Sequence, residues 1–232
     1  MKIKKDILRE FLEKINMQGN EQVNEAIFDF TENGLKVSAM TPSKVVRVDG
    51  VLKNNGFIDY EVVGKVGVQD ISTLIKIIKK FNDEIEIKIE QNLIHIVDGN
   101  KNMTTELVDI QFIKATAELK QFEFADMFTI DVDKLHGVIE DASINGEYNI
   151  NFKTVEKGVS VNTTGKYKFN RNIVVEEAKG GADVTFGKPF VNAIANLTNK
   201  IEMNIKSNFP TKILERTEVS VISLIISPVV KN

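Results

Sequence analysis

Cysteine is absent from the 232 residues, which removes disulfides, a thiolate nucleophile and thiolate metal ligation together. Histidine is almost as scarce. His95 and His136 stand far apart in sequence, with no partner at the spacing of a metal site or a catalytic triad, and both read as structural. No window comes near the run of about 18 apolar residues that a membrane-spanning helix needs. The first residues carry Lys2, Lys4, Lys5, Asp6 and Arg9 in place of the apolar stretch of a signal peptide. The expectation is an intracellular protein with no membrane partner, on which the sequons at Asn102, Asn162 and Asn196 carry no weight. The glycines Gly181 and Gly187, followed by Lys188, miss the phosphate-loop spacing by one residue, and Pro189 stands where Ser or Thr is required. That stretch reads as a turn before a helix with Pro among its first positions. Asp and Glu are scattered and offer no pair for acid–base work. No catalytic residue, metal or cofactor is expected.

What the chain does contain is the same pattern twice. Leu74, Ile75, Ile78 and Phe81 recur as Phe190, Val191, Ile194 and Leu197, and the alternating Ile85, Ile87 and Ile89 recur at the same offset as Ile201, Met203 and Ile205. Earlier in each half, Leu8, Phe11, Leu12 and Ile15 correspond to Leu135, Val138, Ile139 and Ala142. Between them, Gly34-Leu35-Lys36-Val37 corresponds to Gly158-Val159-Ser160-Val161. A unit this long exceeds a solenoid repeat and reads as a duplicated domain. With 42% hydrophobic residues there is material for two cores. The expected division is 1–115 and 116–232, with a connector over 112–123.

Hydrophobic period gives the elements. Strands are expected at 25–31, 35–41, 45–53, 59–68, 84–90, 93–98 and 103–111, then at 147–153, 158–163, 166–177, 182–186, 201–206, 211–217 and 219–227. Helices are expected at 5–16, 70–81, 132–142 and 188–198. The fold class is α+β, each half antiparallel β-sheet carrying two helices on one face. The expected strands 103–111 and 166–177 would edge their sheets, so Val108, Ile110, Tyr167 and Phe169 are candidates for pairing with a neighbouring copy.

The helices carry the functional signal. Opposite its buried stripe, the second helix presents Ser72, Thr73, Lys76, Lys79 and Lys80 without a carboxylate. Its counterpart presents Lys188, Asn192, Asn196, Asn199 and Lys200. In a chain with 33 acidic and 30 basic residues, two acid-free faces at corresponding places point to an anionic partner. Lys and Asn suit phosphate contact, and the lack of interleaved aromatics favours duplex over single strand and shape over sequence.

The order of these elements, with Asn24-Glu25-Ala26-Ile27-Phe28-Asp29-Phe30, Gly34-Leu35-Lys36-Val37-Ser38-Ala39-Met40, Lys76-Ile77-Ile78-Lys79, Asn208-Phe209-Pro210 and Leu224-Ile225-Ile226-Ser227-Pro228, resembles the two-domain DNA sliding clamps of the proliferating cell nuclear antigen family and its archaeal, viral and phage relatives. The resemblance implies a non-catalytic homotrimer, three chains closed head to tail with helices lining a hole that holds double-stranded DNA. Lys5 and Arg9 would then join the helix-face residues at the DNA. It further implies a DNA polymerase, a clamp loader, and replication and repair proteins whose short apolar motif enters beneath the connector, at positions matching Met40, Val45, Pro210, Ile225, Ser227 and Pro228. Departures are visible: Asp133, Glu140 and Asp141 lie on the helix at 132–142, Glu10 and Glu13 accompany Lys5 and Arg9, the connector is short, and Ile225 stands where the family carries an aromatic. A clamp-fold protein working as a monomer, a dimer or part of a heteromeric ring stays open, as does an enzyme or structural protein with a similar duplicated fold.

Overall fold

The computed structural model describes every residue except 18, 20, 21, 115, 117–122, 147, 176 and 230–232. Most of the expected connector therefore lies outside the described residues. The first half runs β1 (Lys2–Lys4), α1 (Lys5–Asn16), β2 (Ala26–Thr31), β3 (Gly34–Met40), β4 (Val46–Lys53), β5 (Phe57–Asp59), β6 (Gly64–Val68), α2 (Ile71–Ile78), β7 (Glu84–Glu90), β8 (Leu93–Asp98) and β9 (Lys101–Glu106). The second half runs β10 (Asp126–Asp131), α3 (Val132–Ile144), β11 (Asn149–Val155), β12 (Gly158–Thr164), β13 (Phe169–Val174), β14 (Asp183–Phe186), α4 (Lys188–Ile194), β15 (Lys200–Ile205), β16 (Thr211–Arg216) and β17 (Ser220–Ile226).

The strands form three antiparallel sheets in the orders β5-β1-β7-β8-β9, β10-β15-β16-β17-β4-β3-β2-β6 and β13-β12-β11-β14. The eight-stranded sheet belongs to both halves. Its central joint is β17 on β4, running from Ser220 opposite Leu52 to Ile226 opposite Val46. Each half thus supplies a meander sheet and a closing sheet, and the closing sheet of the second half is fused to the meander of the first.

The helices bury the stripes their periodicity dictates. Leu8, Phe11, Leu12 and Ile15 of α1 and Leu74, Ile75 and Ile78 of α2 are all buried, each worth about 1.5–3 kcal/mol when fully removed from water. α1 crosses β4 at Gly50. A Cβ there would meet Ile15 Cδ1 at 2.4 Å and the Phe11 ring at 3.0 Å, so a larger residue would have to push buried side chains of the helix aside. Asp70 starts α2 by accepting the Thr73 amide at 3.0 Å, an N-cap that satisfies one of the helix's unpaired donors. In the second half, Phe186 and Phe190 stack at 4.6 Å, with Phe152 edge-on to both, fixing α4 over its sheet.

Several expected elements differ. β1 and β10 have no counterpart in the hydrophobic reading. The long strand expected at 59–68 is two short ones, α4 stops at Ile194, and the edge strands are shorter than 103–111 and 166–177. β9 ends at Glu106 because Asp109 accepts the Gln111 amide at 3.0 Å and caps a 3-10 turn over Ile110–Phe112.

Candidate functional site

Two of the four helix faces keep the acid-free character that sets them apart. Neither Ile71–Ile78 nor Lys188–Ile194 contains a carboxylate, and Lys76, Lys79, Lys80, Lys188 and Lys200 are exposed. Their surroundings are not equal. Lys79 is paired with Glu13 of α1 at 2.8 Å, and Lys200 lies 4.0 Å from Asp131. Lys188 sits over the Tyr148 ring at 5.8 Å. Lys76 and Lys80 make no ion pair among the described residues and are the most available cations of the set. On α1, Lys5 donates to the Phe81 carbonyl at 3.1 Å, and Arg9 contacts Asp6 at 3.3 Å and Glu10 at 3.7 Å. Its charge is matched by its own helix.

The amides correct the sequence reading. Asn192 is 8% exposed and lies beneath Gly19, whose hypothetical Cβ would fall 2.9 Å from Asn192 Nδ2. A helical wheel placed it outward, but Gly19 of the other half covers it. Asn196 lies past the end of α4 and donates to the Glu13 carbonyl at 2.7 Å, joining the halves. Neither amide is presented for phosphate contact as the wheel implied.

The candidate partner residues gather on the outer face of the eight-stranded sheet but do not form one cavity. Met40 pairs with Arg47, Arg47 with Ile225 and Ile225 with Lys212, a row across four strands. Arg47 is held to Asp49 by Nε at 2.7 Å and Nη2 at 2.8 Å. Val45 accepts the Ser227 amide at 2.9 Å, and Pro210 directly precedes β16. Met40 lines a groove of about 590 Å³ with Val23, Glu25, Pro42, Lys44, Lys114 and Thr116, volume enough for several side chains. Pro228 lines a separate cavity of about 320 Å³ with Asp183, Thr185, Ser207 and Val229. Val45, Pro210, Ile225 and Ser227 line neither. Of the groove residues outside the expected set, Glu25 was expected to open a strand, while Val23, Lys44 and Lys114 lie in loops, where no periodicity places a side chain.

The sheet edges also differ from expectation. Val108 and Ile110 are off the free edge: the Val108 amide donates to Gly67 of the same chain at 2.9 Å, and Ile110 belongs to the capped turn. The true edge is Lys101–Glu106. Leu107 donates to Asn92 at 2.7 Å, and by antiparallel alternation the amides of Asn102, Thr104 and Glu106 point away from β8. On β13, Val175 donates to Lys157 at 3.3 Å, which turns the amides of Asn170, Asn172 and Val174 outward by the same rule. Tyr167 precedes β13, its amide held by Asn145 Oδ1 at 2.7 Å, while Phe169 opens the strand.

A buried ion pair joins the halves. Lys14 Nζ lies 2.6 Å from Glu215 Oε2, with side-chain exposures of 6% and 0%. Glu215 also accepts the amides of Thr198 at 2.8 Å and Asn199 at 3.1 Å. Burial alone would push the Glu215 carboxyl up. The Lys14 hydrogen bond, the Thr198 amide, the Lys14 charge and the Asn199 amide outweigh it and hold the group below its ordinary value.

Residues 3–135 match the family model for the N-terminal domain of proliferating cell nuclear antigen, and the chain belongs to that family. It is 30% identical to the DNA polymerase sliding clamp of Pyrococcus furiosus over 142 residues, 59% of this chain and 56% of that protein. That match spans just over half the length of the relative. A sliding clamp of Aeropyrum pernix aligns at 22% identity over 83% of this chain and 85% of its own length. Among solved structures, the A. fulgidus proliferating cell nuclear antigen bound to the C-terminal region of FEN-1 superposes with a TM-score of 0.88 at 16% identity, covering 100% of this chain and 98% of that one. A chain of the PCNA2–PCNA3 complex from Sulfolobus tokodaii gives a TM-score of 0.81 at 19% identity, covering 98% of both. These likenesses establish the duplicated α+β clamp fold.

Proposed function

We propose that the chain is a DNA polymerase processivity factor, a sliding clamp whose copies close head to tail around duplex DNA and tether replication and repair proteins there. The chain does no chemistry in this reading; its work is topological. The observation that carries it is the β17–β4 joint. Within the chain, the closing sheet of one half is completed by the meander of the other. The corresponding strands, β9 and β13, edge their own sheets with outward amides, and a second copy would complete them as β4 completes β17.

The register of that joint follows from the repeat. Superposing Ile85 on Ile201 and Leu35 on Val159, then following the strand pairings, puts Met103 where Leu224 is and Phe169 where Val48 is. The neighbour's Phe169 then faces Met103, and its Tyr167 faces Thr105. Asn102, Thr104 and Glu106 exchange hydrogen bonds with Asn170, Lys168 and Lys166, which agrees with the outward amides found independently on both edges. Phe169 and Tyr167 keep their assignment to the interface, and Met103 and Glu106 replace Val108 and Ile110.

A closed ring holds DNA without tight contact, so exchangeable Lys–phosphate pairs suit sliding where base-specific bonds would arrest it. Tethered enzymes gain effective concentration at the primer end. The A. fulgidus relative, bound to the C-terminal region of FEN-1, supports peptide capture, for which the groove beside Met40 and Lys114 is the candidate. Domains of 1–115 and 116–232 and a homotrimer complete the proposal. The second reading is a heteromeric ring, favoured by the S. tokodaii complex of two different clamp chains.

The test is topological. With a clamp loader present, the protein should be retained on closed circular duplex and lost from the same duplex once linearised, and its mass in solution should be that of three chains. Equal retention on both forms would overturn encirclement. A monomer that gains mass only with a second clamp chain would select the heteromeric reading.

A further inference from the structure

Two contacts beyond the sheet ladder cross the joint inside the chain: Asn196 Nδ2 to the Glu13 carbonyl at 2.7 Å, and the buried Lys14–Glu215 pair at 2.6 Å. The repeat supplies the residues at the corresponding places of the other joint. Lys80 takes the place of Asn196, Glu140 that of Glu13, and Asp141 that of Lys14. Through the strand registers, Asp98 takes the place of Glu215, Lys101 that of Ile222 and Arg171 that of Gly50. The lysine–glutamate bridge is therefore not repeated, and two acids stand in its place.

The charges around those acids sort by side. Beside β9, Lys101 Nζ donates to the Lys80 carbonyl, which brings the two lysines together, while Asp98 accepts the amides of Asn82 and Lys101. Beside β13, Arg171 grips Asp141 through Nε and, at 2.9 Å, through Nη2. Arg171 also packs on Gly137, where a Cβ would come within 3.0 Å of Nη1. Immediately around the acids, Lys80 and Lys101 outnumber Asp98 on one side, and Glu140 and Asp141 outnumber Arg171, which falls opposite Lys101, on the other; further along the joint Glu106 faces Lys166. Among the described residues, neither the Lys80 ammonium nor the Glu140 carboxylate has an ion pair within 4 Å in its own chain, both residues are exposed, and Glu140 adds its charge to that of Asp141 near Arg171.

We propose that Lys80 and Lys101 of one copy meet Glu140 and the Arg171-bound Asp141 of the next, so that the joint between copies is held by exposed charge where the joint within the chain is held by buried side chains. This rests on the head-to-tail reading above. It moves Lys80 out of the DNA-facing set and makes assembly sensitive to salt, because exposed charges are screened far more than buried ones. The partner is a second copy of this chain, selected by complementary charge.

The experiment is a charge exchange followed by sedimentation over a range of concentrations at low and moderate salt. Lys80→Glu and Glu140→Lys should each raise the dissociation concentration by about tenfold or more, the scale of a close interfacial charge pair reversed. The double variant should return to within a few-fold of the parent, and added salt should dissociate the parent but barely affect the double variant's ranking against it. Thermal unfolding of each variant as a monomer controls for damage to the fold. Under ring-saturating conditions, Lys80→Ala should leave the salt dependence of DNA binding unchanged while Lys76→Ala flattens it. A parent that stays monomeric at every concentration defeats the head-to-tail reading itself. A parent that forms rings while the exchange has no effect, or shows no recovery in the double variant, defeats only the pairing proposed here.

Discussion

Lys14 shows how far one side chain's role lies from its neighbours in sequence. It sits between Phe11 and Ile15 on the flank of α1 that faces the sheet, and its charge is buried against Glu215, a residue of β16. A charged pair this deep gives little net stability, but removing one partner strands the other charge. Glu215→Gln should therefore cost about 3–5 kcal/mol at neutral pH, measured by denaturant unfolding. The Glu215 carboxyl lies below its ordinary value in the folded chain. Its contribution is thus fully present above the unfolded value of about 4.3 and is lost as pH falls through the folded value. The stability gap between parent and variant should narrow below about pH 4; a gap that stays constant on further acidification would mean that the carboxylate charge contributes nothing. Lys14 was not among the residues the helical pattern singled out. Nor was its partner, because nothing local links position 14 to position 215.

The helices show which surface properties a periodic pattern conveys and which it does not. The 3.6-residue period placed the buried stripes of α1 and α2 correctly, since those depend only on position around one axis. Neither α2 nor α4 contains a carboxylate, but of the outer face expected for α4 only Lys188 is an exposed residue of the helix. The period failed at Asn192, which Gly19 of the other half covers. It also could not distinguish Lys79, matched by Glu13, from Lys76, which is not. If these helices face DNA, Lys76→Ala should lower the slope of log affinity against log salt by about 0.9 for each phosphate the lysine had neutralised, and Lys188→Ala should act alike. Neither should introduce a sequence preference. Binding measured on several unrelated duplexes from low to moderate salt checks this, and parental slopes in both variants would mark the two faces as merely solvated. β1 escaped sequence reading for a related reason: it is three residues long, too short to show alternation, and pairing partners fix it.

At the scale of the whole molecule, the duplication was legible because it is a comparison of the chain with itself. The joint between the halves was not, because β4 and β17 have ordinary alternating sequences and meet only in the folded chain. That joint has a mechanical meaning. The halves are held by seven paired positions from Ser220–Leu52 to Ile226–Val46, by α1 seated on Gly50, and by the Lys14–Glu215 pair; none of these requires the peptide chain to be continuous through residues 116–123. A chain severed there should behave as a two-piece protein whose fragments co-purify and unfold together, detected as one native mass and two denatured ones. Fragments that separate without denaturant would place the cohesion in the covalent link instead. The linear chain is then a permanent pairing of two like parts, fastened by a seam that was built to last, and a gene cut in two at this point would still encode one object.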